Sequence, residues 1–144
     1  MLDQANILVI DDEEVIRDSC QQALTREGYG VKVAEDGAQG LALIQNHSFD
    51  LIILDLKMPG TSGMELLTRI REIKPETAVV IITGYATIRS AVDTMKSGAY
   101  DFLSKPFTPD HLRNIVNEAL TKRQTKKGKA TSQSCLIDGE GFFF

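Results

Sequence analysis

The sequence has few of the features that build disulfide frameworks, nucleic-acid surfaces or membrane spans. Its 144 residues include two cysteines, Cys20 and Cys135, and neither has a CxxC partner or a nearby histidine, which argues against a disulfide framework and a zinc site. The net charge of −4 gives no basic excess for nucleic acid. No apolar run approaches the ~20 residues of a membrane helix. Residues 1–6 lack the regions of a signal peptide, so we expect a cytoplasmic protein without membrane contact.

What the sequence does contain is an alternation of five short strand-like runs with five stretches of helical periodicity. The runs Asn6–Ile10, Leu51–Leu54 and Val79–Ile82 are almost wholly apolar, as in parallel strands that are buried on both faces. The runs Val31–Ala34 and Tyr100–Leu103 are more polar and are expected at the sheet edges. The pattern predicts an α/β fold: a doubly wound, flavodoxin-like (βα)5 domain, with a five-stranded parallel sheet of order 2-1-3-4-5 and helices on both faces.

The last two predicted helices complete the domain, and the fifth one sets its boundary. The fourth ends at Gly98 and is marked by an apolar stripe of Ile88, Ala91, Val92 and Met95. The fifth begins with Thr108 as its N-cap and Pro109 in its first position. Its apolar period stops near residue 121, where a basic and polar stretch begins. We therefore predict one domain over residues 1–123 and a disordered tail or truncated linker over residues 124–144.

Polar residues follow the ends of four predicted strands, and parallel strands bring those ends to one edge of the sheet. They are Asp11 and Asp12, Asp55, Thr83, and Lys105. Taken alone, residues 11–14 could be negative charge at a helix N-terminus, but the joint placement is hard to dismiss. Three carboxylates ~4 Å apart repel by several kcal/mol per pair at an effective dielectric constant of ~20, and one lysine leaves a surplus of about two charges.

Hard oxygen ligands with that surplus suit Mg²⁺, which completes its coordination shell with water and phosphate oxygens. A carboxylate beside Mg²⁺, with a hydroxyl and an ammonium nearby, is equipped to attack phosphorus. The sequence therefore predicts a phosphoryl-transfer site in which Asp55, at the end of a central strand, is the nucleophile.

With these motifs in place, the chain resembles the receiver domains of two-component response regulators over about residues 5–123. The resemblance depends on four motifs at the family's spacing: Ile-Asp11-Asp12-Glu, Leu-Asp55-Leu-Lys-Met-Pro-Gly, Thr83-Gly84 and Lys105-Pro106-Phe. Residues 84–107 are most similar to receivers of NtrC-like transcriptional activators. In such a domain, Asp55 would accept a phosphoryl group from the phosphohistidine of a sensor histidine kinase. Asp11, Asp12, Asp55 and the main-chain carbonyl of Lys57 would hold Mg²⁺.

The resemblance also implies how the phosphoryl group is detected. Thr83 and Lys105 would bind its oxygens, and Phe102 matches the family's aromatic switch position. The Lys105–Pro106 bond is often cis in the family. The face made by the fourth helix, the fifth strand and the fifth helix would change on phosphorylation. This face would control a homodimer or a downstream ATPase or DNA-binding module. The resemblance also implies that the chain is not an enzyme but a phosphoacceptor that assists its own phosphorylation and dephosphorylation.

Two further positions are expected to set how long the phosphoryl group survives. Lys57 and Tyr85 lie two residues after Asp55 and Thr83, where they should border the path of an attacking water. Neither side chain is a carboxylate or carboxamide that could orient this water. Tyr85 is also bulky, and the Lys57 ammonium is placed to contact the phosphoryl oxygens. We therefore expect a long-lived phosphoryl group.

Three other classes of protein share parts of this pattern. A flavodoxin-like cofactor binder needs a loop that cradles phosphate after the first strand, but residues 11–14 are all acidic here. A phosphatase of the haloacid-dehalogenase type expects a second aspartate two residues after Asp55, and that position is Lys57. A pseudo-receiver, which would act as an interaction module without phosphorylation, is disfavoured only weakly by the presence of all key residues.

Overall fold

The computed structural model describes residues 4–84 and 87–129, and strands and helices alternate along this part of the chain. The elements are β1 Asn6–Ile10, α1 Glu14–Arg26, β2 Gly30–Ala34, α2 Gly37–Asn46, β3 Leu51–Asp55, β4 Lys57–Met58, β5 Thr61–Ser62, α3 Gly63–Ile73, β6 Ala78–Thr83, α4 Ile88–Lys96, β7 Asp101–Ser104 and α5 Pro109–Lys129.

Five of the strands form one parallel sheet in the spatial order β2-β1-β3-β6-β7. Counted over the sheet strands alone, this is the order 2-1-3-4-5, so the predicted fold is confirmed. The three most apolar strands are central, and every residue of β3 is buried. Because all five strands run the same way, their carboxyl ends lie along one edge, and each following loop starts there.

Successive strand residues point to opposite faces of the sheet and divide the apolar core in two. On one face, Val9, Ile53 and Ile82 pack with buried residues of α1 and α5. On the other face, Leu8, Ile52 and Ile81 pack with buried residues of α2 and α3. The sheet is therefore covered on both faces, as continuous apolar strands require.

Helix α4 is the exception to this packing. Its apolar stripe predicts the helix correctly, but Ile88 is 87% exposed, and Val92 and Met95 are each 45% exposed. Thr94 is its one buried residue. The stripe faces outward because α4 follows β6 near the edge of the sheet, where no other described helix covers it. Hydrophobic periodicity identifies a helix, but it does not say whether another element packs against its apolar side.

A short antiparallel hairpin of β4 and β5 follows β3, where the sequence predicted only a turn. The turn is closed by Gly60, whose φ of +72° lies in the region that glycine tolerates best. Gly63 allows the backbone of α3 to approach the backbone of Leu56 closely, since a Cβ at Gly63 would stand 2.4 Å from the Leu56 carbonyl oxygen. The hairpin therefore brings the start of α3 against the backbone that directly follows Asp55.

The start of α5 was predicted correctly, and the helix is longer than its apolar stripe. Thr108 caps the helix by accepting a hydrogen bond of 3.1 Å from the amide of His111, and Pro109 is its first residue. The helix continues to Lys129, past the boundary predicted at residue 123, and that domain boundary stays a prediction. Lys, Arg and Gln favour helix without needing an apolar stripe.

Residues 130–144 and Cys135 lie outside the described residues, so the tail stays a prediction there. None of the helices in the described part of the chain is both long and apolar enough to cross a membrane.

Candidate functional site

The carboxyl edge of the sheet collects the polar residues that the sequence predicted. Asp11 follows β1, Asp55 ends β3, Thr83 ends β6, and Lys105 follows β7. Asp11, Asp55 and Thr83 are buried, whereas Asp12 is exposed. One carboxylate oxygen from each of the three aspartates lies within 4.8 Å of the others. The three acidic side chains therefore form one cluster, as predicted.

The two buried aspartates are held in the same way. Oδ1 of Asp11 accepts a hydrogen bond of 2.8 Å from the amide of Glu13, and Oδ1 of Asp55 accepts one of 3.1 Å from the amide of Lys57. Their Oδ2 atoms lie 3.0 Å and 3.3 Å from the ammonium nitrogen of Lys105. One oxygen of each carboxylate is thus fixed by its own loop, and the other faces the lysine.

Two contributors were missed by sequence reasoning. Glu13 Oε1 lies 2.5 Å from the Lys105 ammonium nitrogen, the shortest ion pair in the cluster. Arg17 donates a hydrogen bond of 2.8 Å to the carbonyl oxygen of Asp11, which ties α1 to the loop that carries the acidic pair. The available signal was position: Glu13 belongs to the same acidic run, and Arg17 lies one helical turn beyond it.

Burial dominates the ionisation of the site. It raises the pKa of Asp55 to about 6, and the neighbouring Asp11 carboxylate adds to that effect, while the Lys57 amide and the Lys105 ammonium oppose it. Burial likewise raises the pKa of Asp11 above its usual range. Burial by itself would lower the pKa of Lys105, but its ion pairs with Glu13 and Asp11 raise that pKa overall. The lysine is therefore a fixed positive charge at neutral pH.

The cluster fits a hard divalent cation. Oδ2 of Asp11 is buried and accepts no hydrogen bond, because the nearby Lys105 ammonium is an ion-pair partner outside hydrogen-bonding geometry. The ion pair compensates part of the charge on this oxygen, but a buried acceptor without a hydrogen bond still carries a desolvation cost. A cation bound to Asp11, Asp12 and Asp55 would satisfy this oxygen and neutralise the surplus charge. The geometry thus provides a reason for a metal ion that is independent of sequence motifs.

The remaining predicted positions have mixed outcomes. Phe102 is half-buried and packs against the core on the α2 and α3 face. The Lys105–Pro106 bond is cis, as the resemblance implied. The Lys57 side chain is exposed at the site edge, and a metal-binding role for its carbonyl stays a prediction. Tyr85 lies outside the described residues, so its predicted shielding role is untested.

A buried strand-end aspartate beside an acidic pair and a lysine, on a five-stranded parallel sheet, is the arrangement expected of a two-component signalling domain. The family model described as "Response regulator receiver domain" matches residues 7–117. The chain therefore belongs to the response regulator receiver family of two-component systems. This membership supports neither the flavodoxin-like nor the haloacid-dehalogenase-type alternative.

Characterised relatives agree with this assignment. The alginate biosynthesis transcriptional regulatory protein AlgB of Pseudomonas aeruginosa is 37% identical over 139 residues, which cover 96% of this chain and 31% of AlgB. The transcriptional regulatory protein FixJ of Bradyrhizobium diazoefficiens is 35% identical over 134 residues, which cover 92% of this chain and 65% of FixJ. The chain thus spans about a third of AlgB and somewhat under two thirds of FixJ.

Solved structures agree as well. A CheY-like receiver domain protein from Methanospirillum hungatei superimposes with a TM-score of 0.82 at 34% identity, over 85% of this chain and 98% of that chain. NtrX from Brucella abortus gives a TM-score of 0.84 at 37% identity, over 88% of this chain and 30% of that chain. The resemblance to receivers of NtrC-type activators is confirmed by these relatives.

Proposed function

We propose that Asp55 accepts a phosphoryl group from the phosphohistidine of a sensor histidine kinase, with Mg²⁺ bound at the acidic cluster. The observation that carries the proposal is the placement of Asp55. Its carboxylate is buried at the end of a central strand, and its Oδ2 lies 3.3 Å from the Lys105 ammonium nitrogen. Asp11 and Asp12 supply cluster oxygens within 4.8 Å. A carboxylate so placed has a counter-charge beside the oxygen that would bond to phosphorus.

The transfer needs little covalent chemistry from the protein. A carboxylate oxygen of Asp55 forms a bond to phosphorus as the phosphorus–nitrogen bond to the donor histidine breaks, and the imidazole leaves with that electron pair. The Lys105 ammonium and the Thr83 hydroxyl bind the phosphoryl oxygens, where charge accumulates. Mg²⁺, when bound to Asp11, Asp12, Asp55 and the Lys57 carbonyl, would neutralise charge on the same oxygens. Positioning and neutralisation are the main requirements of phosphoryl transfer.

Substitution of the acceptor tests this directly. Wild type incubated with Mg²⁺ and acetyl phosphate should gain one phosphoryl group by mass spectrometry, and alkali should remove it. Asp55→Asn should abolish this gain at the site. Asp18→Asn removes the same charge from an exposed position on α1 and should label normally. Undiminished labelling of Asp55→Asn, mapped to another residue, would reject Asp55 as the acceptor.

The output is proposed on the face made by α4, β7 and α5. The Thr83 hydroxyl would turn toward the phosphoryl group and vacate space for the Phe102 ring, which gives a two-state element. The relatives are named transcriptional regulatory proteins, and the chain spans only part of them. We therefore propose that this face controls a homodimer, or an ATPase or DNA-binding module. A cytoplasmic location, typical of such regulators, belongs to the proposal.

A long lifetime of the phosphoryl group is a separate proposal. The Lys57 side chain is exposed beside Asp55 and offers no group that would orient an attacking water. Lys57→Asn should therefore accelerate loss of the phosphoryl group in Mg²⁺, and Tyr85→Glu should add to that effect. Lys32→Asn, an exposed change on β2, serves as the control. An unchanged or slower loss in the double variant would show that these residues do not set the lifetime.

A further inference from the structure

Lys105 is shared unequally among three carboxylates. Its ammonium nitrogen lies 2.5 Å from Glu13, 3.0 Å from Asp11 and 3.3 Å from Asp55. Two of these partners, Asp11 and Asp55, belong to the cluster that fits a divalent cation. Glu13 does not belong to it, and its side chain is 58% exposed at the mouth of the site. The lysine is therefore bound at once to the proposed metal ligands and to a carboxylate outside them.

The ammonium and a divalent cation compete for the same atoms. The Oδ1 atoms of Asp11 and Asp55 already accept amide hydrogen bonds, and the Oδ2 atoms face Lys105. A cation that bound these Oδ2 atoms would lie within a few ångströms of the ammonium, and the two positive charges would repel each other. The lysine is only 13% exposed and cannot simply turn into water. It needs another carboxylate within reach.

Glu13 occupies a helix position that favours a shorter side chain. It is the N-cap of α1, where Ser, Thr, Asp and Asn are preferred because a short side chain can accept a hydrogen bond from the first turn. The Glu13 side chain makes no such bond. Its carboxylate reaches across the site to Lys105, a residue 92 positions away in the chain. The helix therefore gives up a cap that a shorter side chain could provide.

We propose that Glu13 is a positioning residue for Lys105, which holds the ammonium when a divalent cation takes Asp11 and Asp55. The inference depends on the proposed cation site. Without Glu13, the lysine would stay on the two aspartates and oppose cation binding. Glu13 would thus raise the affinity for Mg²⁺ in two ways, through its own charge and by drawing a competing cation aside. Only the second way requires Lys105.

A double-mutant cycle separates the two contributions. The dissociation constant for Mg²⁺ is measured by calorimetry or by titration of the Lys57 amide in NMR spectra, for Glu13→Gln, Lys105→Met and the double variant. If Glu13 acted through its charge alone, Glu13→Gln would weaken Mg²⁺ binding by the same factor with or without Lys105. The proposal predicts that Glu13→Gln weakens Mg²⁺ binding by an additional factor of about five when Lys105 is present. Equal factors in both backgrounds would overturn it.

Glu14→Gln is the matched control for the cycle. It removes the same charge from the neighbouring exposed position, in the first turn of α1. Its effect on the dissociation constant should be the same in the Lys105 and Lys105→Met backgrounds. A coupling to Lys105 as large as that of Glu13 would mean that the ammonium responds to any nearby charge, which would also overturn the proposal.

A second measurement needs no change at Lys105, in case that variant fails to fold. Hydrogen exchange of the Lys105 ammonium protons is followed by NMR with and without saturating Mg²⁺. Wild type should protect them in both conditions, and Glu13→Gln should lose the protection only when Mg²⁺ is added. Equal protection in the two proteins would overturn the proposal. If wild type binds no Mg²⁺, the proposed function fails; if it binds but the cycle is additive, only the role of Glu13 fails.

Discussion

Helices α4 and α5 both follow strands that carry site residues, yet they are attached to the domain in opposite ways. Helix α5 buries a continuous stripe against the sheet and α1: Leu112, Ile115, Val116, Ala119 and Leu120. Helix α4 buries only Thr94 and exposes Ile88, Val92 and Met95. Burial of apolar area is the main stabilising term in folding. The helix after Lys105 is therefore held firmly, and the helix after Thr83 is held weakly.

Polar contacts follow the same division. The Tyr29 hydroxyl donates a hydrogen bond to Oδ1 of Asn117, and the Asn117 amide donates one of 3.4 Å to Glu27. Glu27 also lies 3.7 Å from Nε of Arg113. These bonds join α5 to the end of α1. Helix α4 is closed locally by a capping box of Thr87 and its own Ser90. Elements with few buried contacts open most readily, so we infer that α4 is the element able to shift.

The largest expected effect comes from truncating one apolar side chain in each helix. Leu112 is 1% exposed, so Leu112→Ala should lower the free energy of unfolding by about 3–4 kcal/mol through lost burial and a residual cavity. Met95→Ala removes a side chain of similar size from an exposed position and should cost under about 1 kcal/mol. Urea unfolding measures both. Similar costs would break the comparison, because α4 would then be as firmly packed as α5.

The acidic site, which lies at the strand ends that precede both helices, makes its own contribution to stability. Since the pKa of Asp55 is about 6 in the metal-free fold and its ordinary value is 3.8, the folded state binds more protons between these two pH values. The contribution of Asp55 to stability is then largest at low pH and falls as the pH rises through 6. Without Mg²⁺, the free energy of unfolding should drop by about 2 kcal/mol between about pH 4.5 and pH 7.

Asp55→Asn should flatten this dependence in a chelating buffer, and Mg²⁺ should restore stability to wild type by mass action. Asp18→Asn should leave the slope unchanged. A wild-type protein whose stability rose over the same pH range would contradict the expected sign. The two helix truncations are therefore compared at the same pH.

A smaller effect tests the polar attachment of α5. Tyr29 is 6% exposed, and Tyr29→Phe removes the hydroxyl that bonds to Asn117. The free energy of unfolding should fall by about 1 kcal/mol, and amide exchange in the middle of α5 should become faster. Tyr100→Phe removes a hydroxyl from a less buried tyrosine and should cost less. Equal exchange in α5 of wild type and Tyr29→Phe would mean that packing alone holds the helix.

Most of this architecture could be predicted because it follows from local patterns. Continuous apolar runs identify the central strands, and the strand-end positions of Asp11, Asp55 and Lys105 define the site. The outward orientation of α4 could not be predicted, because periodicity does not record what packs nearby. The pair of Glu13 and Lys105 depends on side-chain reach across the finished fold. The hairpin of β4 and β5 is too short for any repeating pattern.

The smallest effect in energy, and the closest test of the comparison, is the response to a phosphoryl mimic. Beryllofluoride with Mg²⁺ should shift the amide resonances of α4 and β7 several times more than those of Glu27, Tyr29 and Asn117. The reason lies in β7, which contacts α4 and whose Phe102 packs on the face of the sheet opposite to α5, whereas Leu103 packs on the α5 face. A movement of the Phe102 ring toward Thr83 disturbs the first face and leaves the second in place. Asp55→Asn should remove the response. Equal shifts in α4 and α5 would show that the firmly packed helix moves as readily as the exposed one.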